Sequence, residues 1–260
     1  MPFIIAHRGA RLLAPENTLE AADIAYQCGA DMWELDVQYT ADRKLIIVHD
    51  ETLERTTDIH LFPEYKNRKP WRVSEFTKEE LNPLNFGYAF DNSKKVNAPF
   101  LEDAVVFSQQ KGIEMNVEIK DLKGLPGHAN IAAHVYETIK RNHFLHHVLF
   151  SSFNIDYLFE IRKRDPHARI AILVDRLPKN YFSAISEINA EAFHPHKDIT
   201  DEALIIKLQE RLVRVNVWTV NEKAEMLQFL EMGIDGIITD NPGLLKNMAS
   251  DETNTLQSGQ

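Results

Sequence analysis

Residues 3–37 read FIIAHRGARLLAPENTLEAADIAYQCGADMWELDV. An apolar run, Phe3–Ala6, stops at His7-Arg8-Gly9. A helix-length segment follows over Leu19–Gln27, and a second apolar run, Trp33–Val37, comes after Gly29. Strand, helix and strand in that order make a parallel βαβ unit. Asn17 and Glu20 suit a capping box at the start of the helix, and Gly29 suits the left-handed residue that ends it. Phe3–Ala6 reads as a buried strand, yet it ends on a titratable base, a fixed cation and a glycine. Those are the residue types that hold a phosphate.

The unit continues along the chain. Apolar or β-branched runs recur at LIIVH, MNVEI, HVLFSS, RIAILV, EAFHP, RVNVW and GIIT. Helical segments such as Leu101–Lys111, Ile131–Arg141, Ile155–Arg164, Asp201–Arg211 and Lys223–Glu231 lie between them. The alternation predicts a TIM (β/α)8 barrel, and 260 residues is a normal length for one. With the first two runs there is one strand candidate more than the barrel needs, so one is an extra arm. Residues 51–114 separate two strands by far more than an ordinary connection and read as a small inserted cap after the third strand. A single barrel domain is expected over 1–248, with a polar tail over 249–260.

The net charge of −10 argues against a general nucleic-acid binder, which needs basic surface. The one cysteine permits no internal disulfide and suits a reducing compartment, so a cytoplasmic site is expected. No run of 18 apolar residues is present to cross a membrane.

Two strands carry charged residues at a spacing of two. Glu34 and Asp36 must share one face of their strand, with Trp33, Leu35 and Val37 on the other. Glu118 and Lys120 share a face in the same way. Three carboxylates facing the interior of one barrel repel unless a cation sits among them, and Mg²⁺ or Ca²⁺ suits an all-oxygen set. Singly, each pair also reads as a solvent-facing edge in salt bridges.

His49 ends the run LIIVH. The segment between Asp36 and His49 is too short to hold a helix. It is either a lean parallel crossover or a hairpin turning at Asp42-Arg43. A two-residue turn would set Asp36 opposite His49. Two histidines, His7 and His49, at the mouth of one barrel suit a general acid and general base. Arg8 and Lys120 add the positive charge that phosphoryl transfer needs. Asp240 and Asn241 read as caps for a helix that starts at Pro242.

With those residues assembled, the chain resembles the glycerophosphodiester phosphodiesterases of the bacterial cytoplasmic kind, from about Ile4 to about Leu245. HRG, PENT, ELDV, HD followed by TLERTTD, VEIK, SSF, HPH, WTVN and GIITDNP occur in the order and spacing of that family. The resemblance implies a barrel of the phospholipase-C-like phosphodiesterase type. It implies hydrolysis of a small glycerophosphodiester to sn-glycerol 3-phosphate and an alcohol, with one divalent cation, Mg²⁺ or Ca²⁺. Carried over residue by residue, it makes His7 and His49 the acid/base pair and Glu34, Asp36 and Glu118 the metal ligands. Arg8 and Lys120 would contact the phosphate, and Glu16 would organise the site near Arg8. Phe153 and Trp218 would line the glycerol side, although both also suit a core. His196 reads as supportive. Two departures stand out: DIHLFPEYKNRKPW replaces a Gly-rich turn after RTT, and Asp42-Arg43 replaces an Asp-Gly turn. An alternative is a lysophospholipase D- or phospholipase C-like enzyme acting on lipids, for which Trp71, Phe86 and Phe90 would have to form an apolar rim.

Overall fold

A computed structural model describes residues 2–125 and 127–248; the polar tail expected over 249–260 lies outside them. The first unit runs β1 (Phe3–Ala6), α1 (Leu19–Gln27), β2 (Met32–Tyr39). β3 (Leu45–Ile47) follows, then an insertion holding the short α2 (Lys78–Leu81), then α3 (Leu101–Lys111) and β4 (Glu114–Ile119). The remainder alternates: α4 (Ile131–Arg141), β5 (Val148–Ser152), α5 (Ile155–Arg164), β6 (Arg169–Val174), α6 (Tyr181–Ile188), β7 (Ala192–Pro195), α7 (Glu202–Gln209), β8 (Arg214–Val217), α8 (Lys223–Glu231) and β9 (Gly236–Thr239). A last helical stretch covers 242–248.

The strands order as β1-β9-β8-β7-β6-β5-β4-β2-β3, and β1 also pairs with β2 in parallel. That pairing closes a parallel barrel of eight strands and leaves β3 as an antiparallel arm on β2. The extra strand candidate is therefore the hairpin arm. Its register differs from the expected one by a single residue. Val37 pairs with Ile47 and Tyr39 with Leu45, and Asp36 O accepts from Val48 N rather than facing His49. The turn is one residue longer than assumed. Thr40 N bonds Lys44 O at 3.0 Å, and Arg43 takes the left-handed conformation (φ 59°) that a glycine would fill more easily.

Alternation along each strand sorts the side chains. Trp33, Leu35 and Val37 enter the main core between strands and helices, together with Val117, Ile119 and Phe150. The opposite faces fill the barrel, where Ile5, Met32, Leu149, Ala171, Ala192 and Ile238 form a separate apolar cluster. Across the strands' N-terminal ends, Arg169 binds Glu114 at 2.8 Å and Glu191 at 3.2 Å.

Some of the helices start on capping side chains: Thr18, Asn154 and Asp201 each accept a backbone N–H of their first turn. Thr18, and not Asn17, caps α1. Asn17 stands in a left-handed conformation (φ 59°), and its carboxamide is turned into the barrel. Gly9 is required by contact as well as by its φ of 78°: a Cβ there would stand 2.6 Å from Cβ of Ala21 on α1.

The insertion builds a small core of its own. Ile59, Trp71, Val73, Phe76 and Leu84 pack with Ile46, Val48 and Phe100. Trp71 and Phe86 are only 2% and 5% exposed, so the apolar rim suggested for them is not formed; Phe90 is 50% exposed. Leu101–Lys111, inside the expected cap range, is α3 and belongs to the barrel's helical layer, supplying Leu101, Ala104 and Val105 to the main core.

Candidate active site

His7 follows β1, Glu34 and Asp36 lie on β2, and His49 follows β3. Glu118 and Lys120 come from the end of β4, with Phe153 after β5 and Trp218 after β8. Those on the parallel strands therefore sit at the C-terminal end of the barrel, where loops leave the strands, and His49, after the antiparallel arm, lines the same cavity. A cavity of about 220 Å³ opens there and is lined by His7, Arg8, Glu34, His49, Glu118 and Lys120. Asn116, Leu173, Ile238, Phe153, Trp218 and Thr219 complete its wall.

One oxygen each from Glu34, Asp36 and Glu118 lies within 4.8 Å of the others. All three residues are buried. Asn17 Nδ2 donates to Asp36 Oδ2 at 2.8 Å, and the Arg8 backbone N–H donates to Glu34 Oε2 at 2.8 Å. Glu34 Oε1 is buried without a hydrogen-bond partner. Lys120 Nζ is 2.7 Å from Glu118 Oε1 and 3.2 Å from Asp36 Oδ1.

Burial raises the pKa of Glu34 well above its ordinary value, and the neighbouring Asp36 and Glu118 charges add to the rise. Burial raises Glu118 as well, against the pull of Lys120. Burial acts the same way on Asp36, but Lys120 and Arg8 outweigh it and hold that carboxyl well below the usual range. Crowded carboxylates with one uncommitted, buried oxygen fit a hard divalent cation with oxygen ligands. Three carboxylates against Arg8 and Lys120 leave one negative charge. A divalent ion makes the site positive by one, the complement of a phosphodiester.

Both histidines are held by aspartates. His7 Nδ1 lies 2.7 Å from Asp240 Oδ1, and His49 Nδ1 lies 2.7 Å from Asp50 Oδ1. In each ring Nε2 is left for the cavity. Burial lowers the His7 pKa, opposed by the Asp240 hydrogen bond. Asn221 Nδ2 fixes the other Asp240 oxygen at 2.8 Å. His49 reaches the cavity in spite of the hairpin register because the ladder ends at Ile47. Gln38 Nε2 binds the carbonyls of Val48 and Asp50, each at 2.8 Å, and bends the chain back.

Arg55, from the start of the insertion, ties the two sides together. It donates to Asp50 Oδ2 at 2.6 Å and to both Glu16 oxygens at 2.6 and 2.8 Å. Glu16 also accepts from Arg8 Nη1 at 2.9 Å. Burial raises the Asp50 pKa, but Arg55 and His49 overcome this and bring it down to about 2.

Phe153 and Trp218 meet edge to face at 5.6 Å on the cavity wall. His196 packs edge-on against Trp218 and accepts from Asp198 N, a supporting contact outside the cavity lining. Asp50, Asp240, Asn17 and Arg55 were not singled out as site residues from the sequence. Of the two caps the sequence offers, Asn241 takes the place by accepting from Leu244 N, and Asp240 is left for His7. The available signals were that Asp50 directly follows His49 and that Asp240 ends a strand, as His7 does.

The comparisons with known proteins agree with this geometry. A sequence model of the glycerophosphoryl diester phosphodiesterase family matches residues 7–244. A glycerophosphodiester phosphodiesterase of Caldanaerobacter subterraneus subsp. tengcongensis is 34% identical, over 95% of this chain and 97% of its own. One from Bacillus altitudinis is 32% identical, over 93% and 96%. A phosphodiesterase of Oleispira antarctica, solved in complex with the product sn-glycerol-3-phosphate, superposes with a TM-score of 0.85 at 25% identity, over 96% of this chain and 97% of that one. By sequence over nearly its whole length and by its barrel, the chain belongs to the glycerophosphoryl diester phosphodiesterase family and is an enzyme of that class.

Proposed function

We propose that the protein hydrolyses small glycerophosphodiesters to sn-glycerol 3-phosphate and an alcohol, with His7 as general base and His49 as general acid. The observation that carries this is the pair of His–Asp dyads facing one cavity beside a carboxylate triad and two cations. The product bound by the Oleispira antarctica relative supports the same chemistry. His7 is the more enclosed, with a side chain 16% exposed against 34% for His49. Burial favours the neutral form of His7. Its Nδ1–H donates to Asp240, so Nε2 can accept the proton of the attacking oxygen. His49 stands nearer the mouth, the side from which a variable alcohol must leave, and donates its Nε2 proton to that oxygen. Arg8 and Lys120 hold the non-bridging oxygens, and Asn17 and the Arg8 backbone keep Asp36 and Glu34 in place.

Glu34, Asp36 and Glu118 would hold the cation, Mg²⁺ or Ca²⁺. When bound, it would supply positive charge to offset the charge that develops on the phosphoryl oxygens. With one cysteine in the chain, a reducing, cytoplasmic setting fits this reading. Among the described residues, no helix is long and apolar enough to cross a membrane.

A leaving-group comparison tests the assignment. His7→Ala and His49→Ala should each lower turnover of glycerophosphocholine by about 10²–10⁴-fold. On a p-nitrophenyl ester, whose leaving group needs little protonation, His49→Ala should recover and His7→Ala should not. Recovery by His7→Ala alone would reverse the roles, and near-normal rates in either variant on glycerophosphocholine would end the two-histidine reading.

A further inference from the structure

Asn116 projects into the barrel from β4, one inward position below Glu118, and lines the active-site cavity. It is 1% exposed, and neither Oδ1 nor Nδ2 of its carboxamide has a hydrogen-bond partner. Ser151 Oγ and His194 Nδ1 are also buried and unpartnered, but neither residue lines the cavity. Leu173 and Ile238, which share the cavity wall, offer no polar atom in their side chains. A buried carboxamide with both ends unsatisfied is costly, and native proteins rarely leave one without a role. Here the residue that carries it lines the space that receives the substrate.

The two ends of a glycerophosphodiester make different demands. The alcohol varies between substrates and must point toward the open mouth. The glycerol is common to all and suits the closed end. Two residues of β-strand separate Glu118 from Asn116, about 6.6 Å. From a phosphorus held at Arg8 and Lys120, the terminal hydroxyl of the glycerol lies about 6 Å away along an extended chain.

Resting on the proposed glycerophosphodiesterase activity, we infer that Asn116 reads the glycerol half of the substrate. Oδ1 accepts a hydrogen bond from the terminal hydroxyl remote from phosphate, and Nδ2 donates one to a glycerol oxygen. The substrate class is then phosphodiesters of glycerol with that hydroxyl free. A lysophospholipid acylated at the same hydroxyl has no proton to give Oδ1 and brings a chain that the closed end cannot take.

The test compares glycerophosphocholine with its analogue built on propane-1,2-diol, which lacks only the terminal hydroxyl. Wild-type enzyme should favour the glycerol compound by about 10²-fold in kcat/KM, because the analogue leaves the carboxamide unpaired. Asn116→Leu, close in size and without polar atoms, should lose most of its activity on glycerophosphocholine and show a ratio near one. Inhibition of the wild type needs no variant: sn-glycerol 3-phosphate should bind at least about ten times more tightly than propane-1,2-diol phosphate. Equal handling of the paired compounds by the wild type, or the wild-type ratio kept in a folded Asn116→Leu, overturns the inference. That outcome leaves the phosphodiesterase reading intact, whereas failure to turn over either diester removes both.

Discussion

Nδ1 of His7 and Oδ1 of Asp240 are 2.7 Å apart, although the residues are joined by nearly the whole barrel. β1 and β9 are neighbours in the closed sheet, with Ala6 paired to Thr239, so the residue after each strand meets the other. This contact fixes which ring nitrogen faces the cavity. It also partly offsets the burial that lowers the His7 pKa.

The Asp240→Asn variant should show both effects. As a base, His7 is inactive when protonated, so activity falls as pH drops through a pKa already below the ordinary 6.5. Removing the Asp240 charge removes an influence that raises this pKa, so the acid limb of the kcat/KM profile should move to lower pH. The plateau should fall by about 10²–10⁴-fold, because the tautomer is no longer enforced. An acid limb displaced upward would show that Asp240 does not act on His7 through its charge.

Glu34, Asp36 and Glu118 should make the fold itself respond to a divalent cation. At a free concentration 100 times the dissociation constant, binding stabilises by about 2.7 kcal/mol, or roughly 5–10 °C in Tm for a chain of this size. The carboxyl of Glu34 holds its proton to higher pH than usual, and the cation must displace that proton. Affinity measured by calorimetry should therefore rise with pH and weaken toward acid. Asp36→Ala should remove the Tm response, and excess EDTA should abolish activity. Full turnover in EDTA would exclude the metal role.

The fold was legible in the sequence because both of its signals are local. Leu19–Gln27, Leu101–Lys111 and Ile155–Arg164 form as helices over those residues, and the nine apolar runs all form strands. The chemistry of WELDV and VEIK was legible for the same reason: a spacing of two on a strand fixes which side chains share the barrel interior. What local reading missed depends on closure. Nothing near Asp240 in sequence reveals that β9 will lie against β1. Asn17 has a fine cap sequence, yet Thr18 caps equally well, and the buried Asp36 carboxylate claims the Asn17 amide. The hairpin register slipped because the turn takes three residues, Ala41, Asp42 and Arg43, the last in a left-handed φ, in place of two. Trp71 and Phe86 looked available for a rim because composition alone does not show that the insertion has a core of its own.

Arg55 should behave as a positioning residue. Its guanidinium spans Asp50, which holds His49, and Glu16, which holds Arg8. Arg55→Ala should lower kcat by about 10–100-fold while Tm changes little, since the residue is half exposed and surface ion pairs contribute little stability. Added guanidinium ion should restore part of the lost rate. Arg55→Lys should recover less than guanidinium does, because an ammonium cannot reproduce the fork that grips two carboxylates. A variant whose kcat is unchanged while Tm falls would make Arg55 a structural brace.

Leu212 lies far from this chemistry, in the turn that joins α7 to β8. It is 92% exposed and held at φ 58°, with its N–H bonded to Gln209 O and the next residue's N–H bonded to Leu208 O. That is the position after a helix where glycine is favoured, because a Cβ in the left-handed region is strained. The exposed side chain gains little by burial to offset the strain. Leu212→Gly should therefore stabilise the fold by about 1 kcal/mol, even after the greater freedom that glycine gives the unfolded chain. In a chain of this length the gain corresponds to roughly 2–4 °C in Tm, with kcat and KM unchanged. A lower Tm would mean that the Leu212 side chain makes a stabilising contact stronger than its backbone strain.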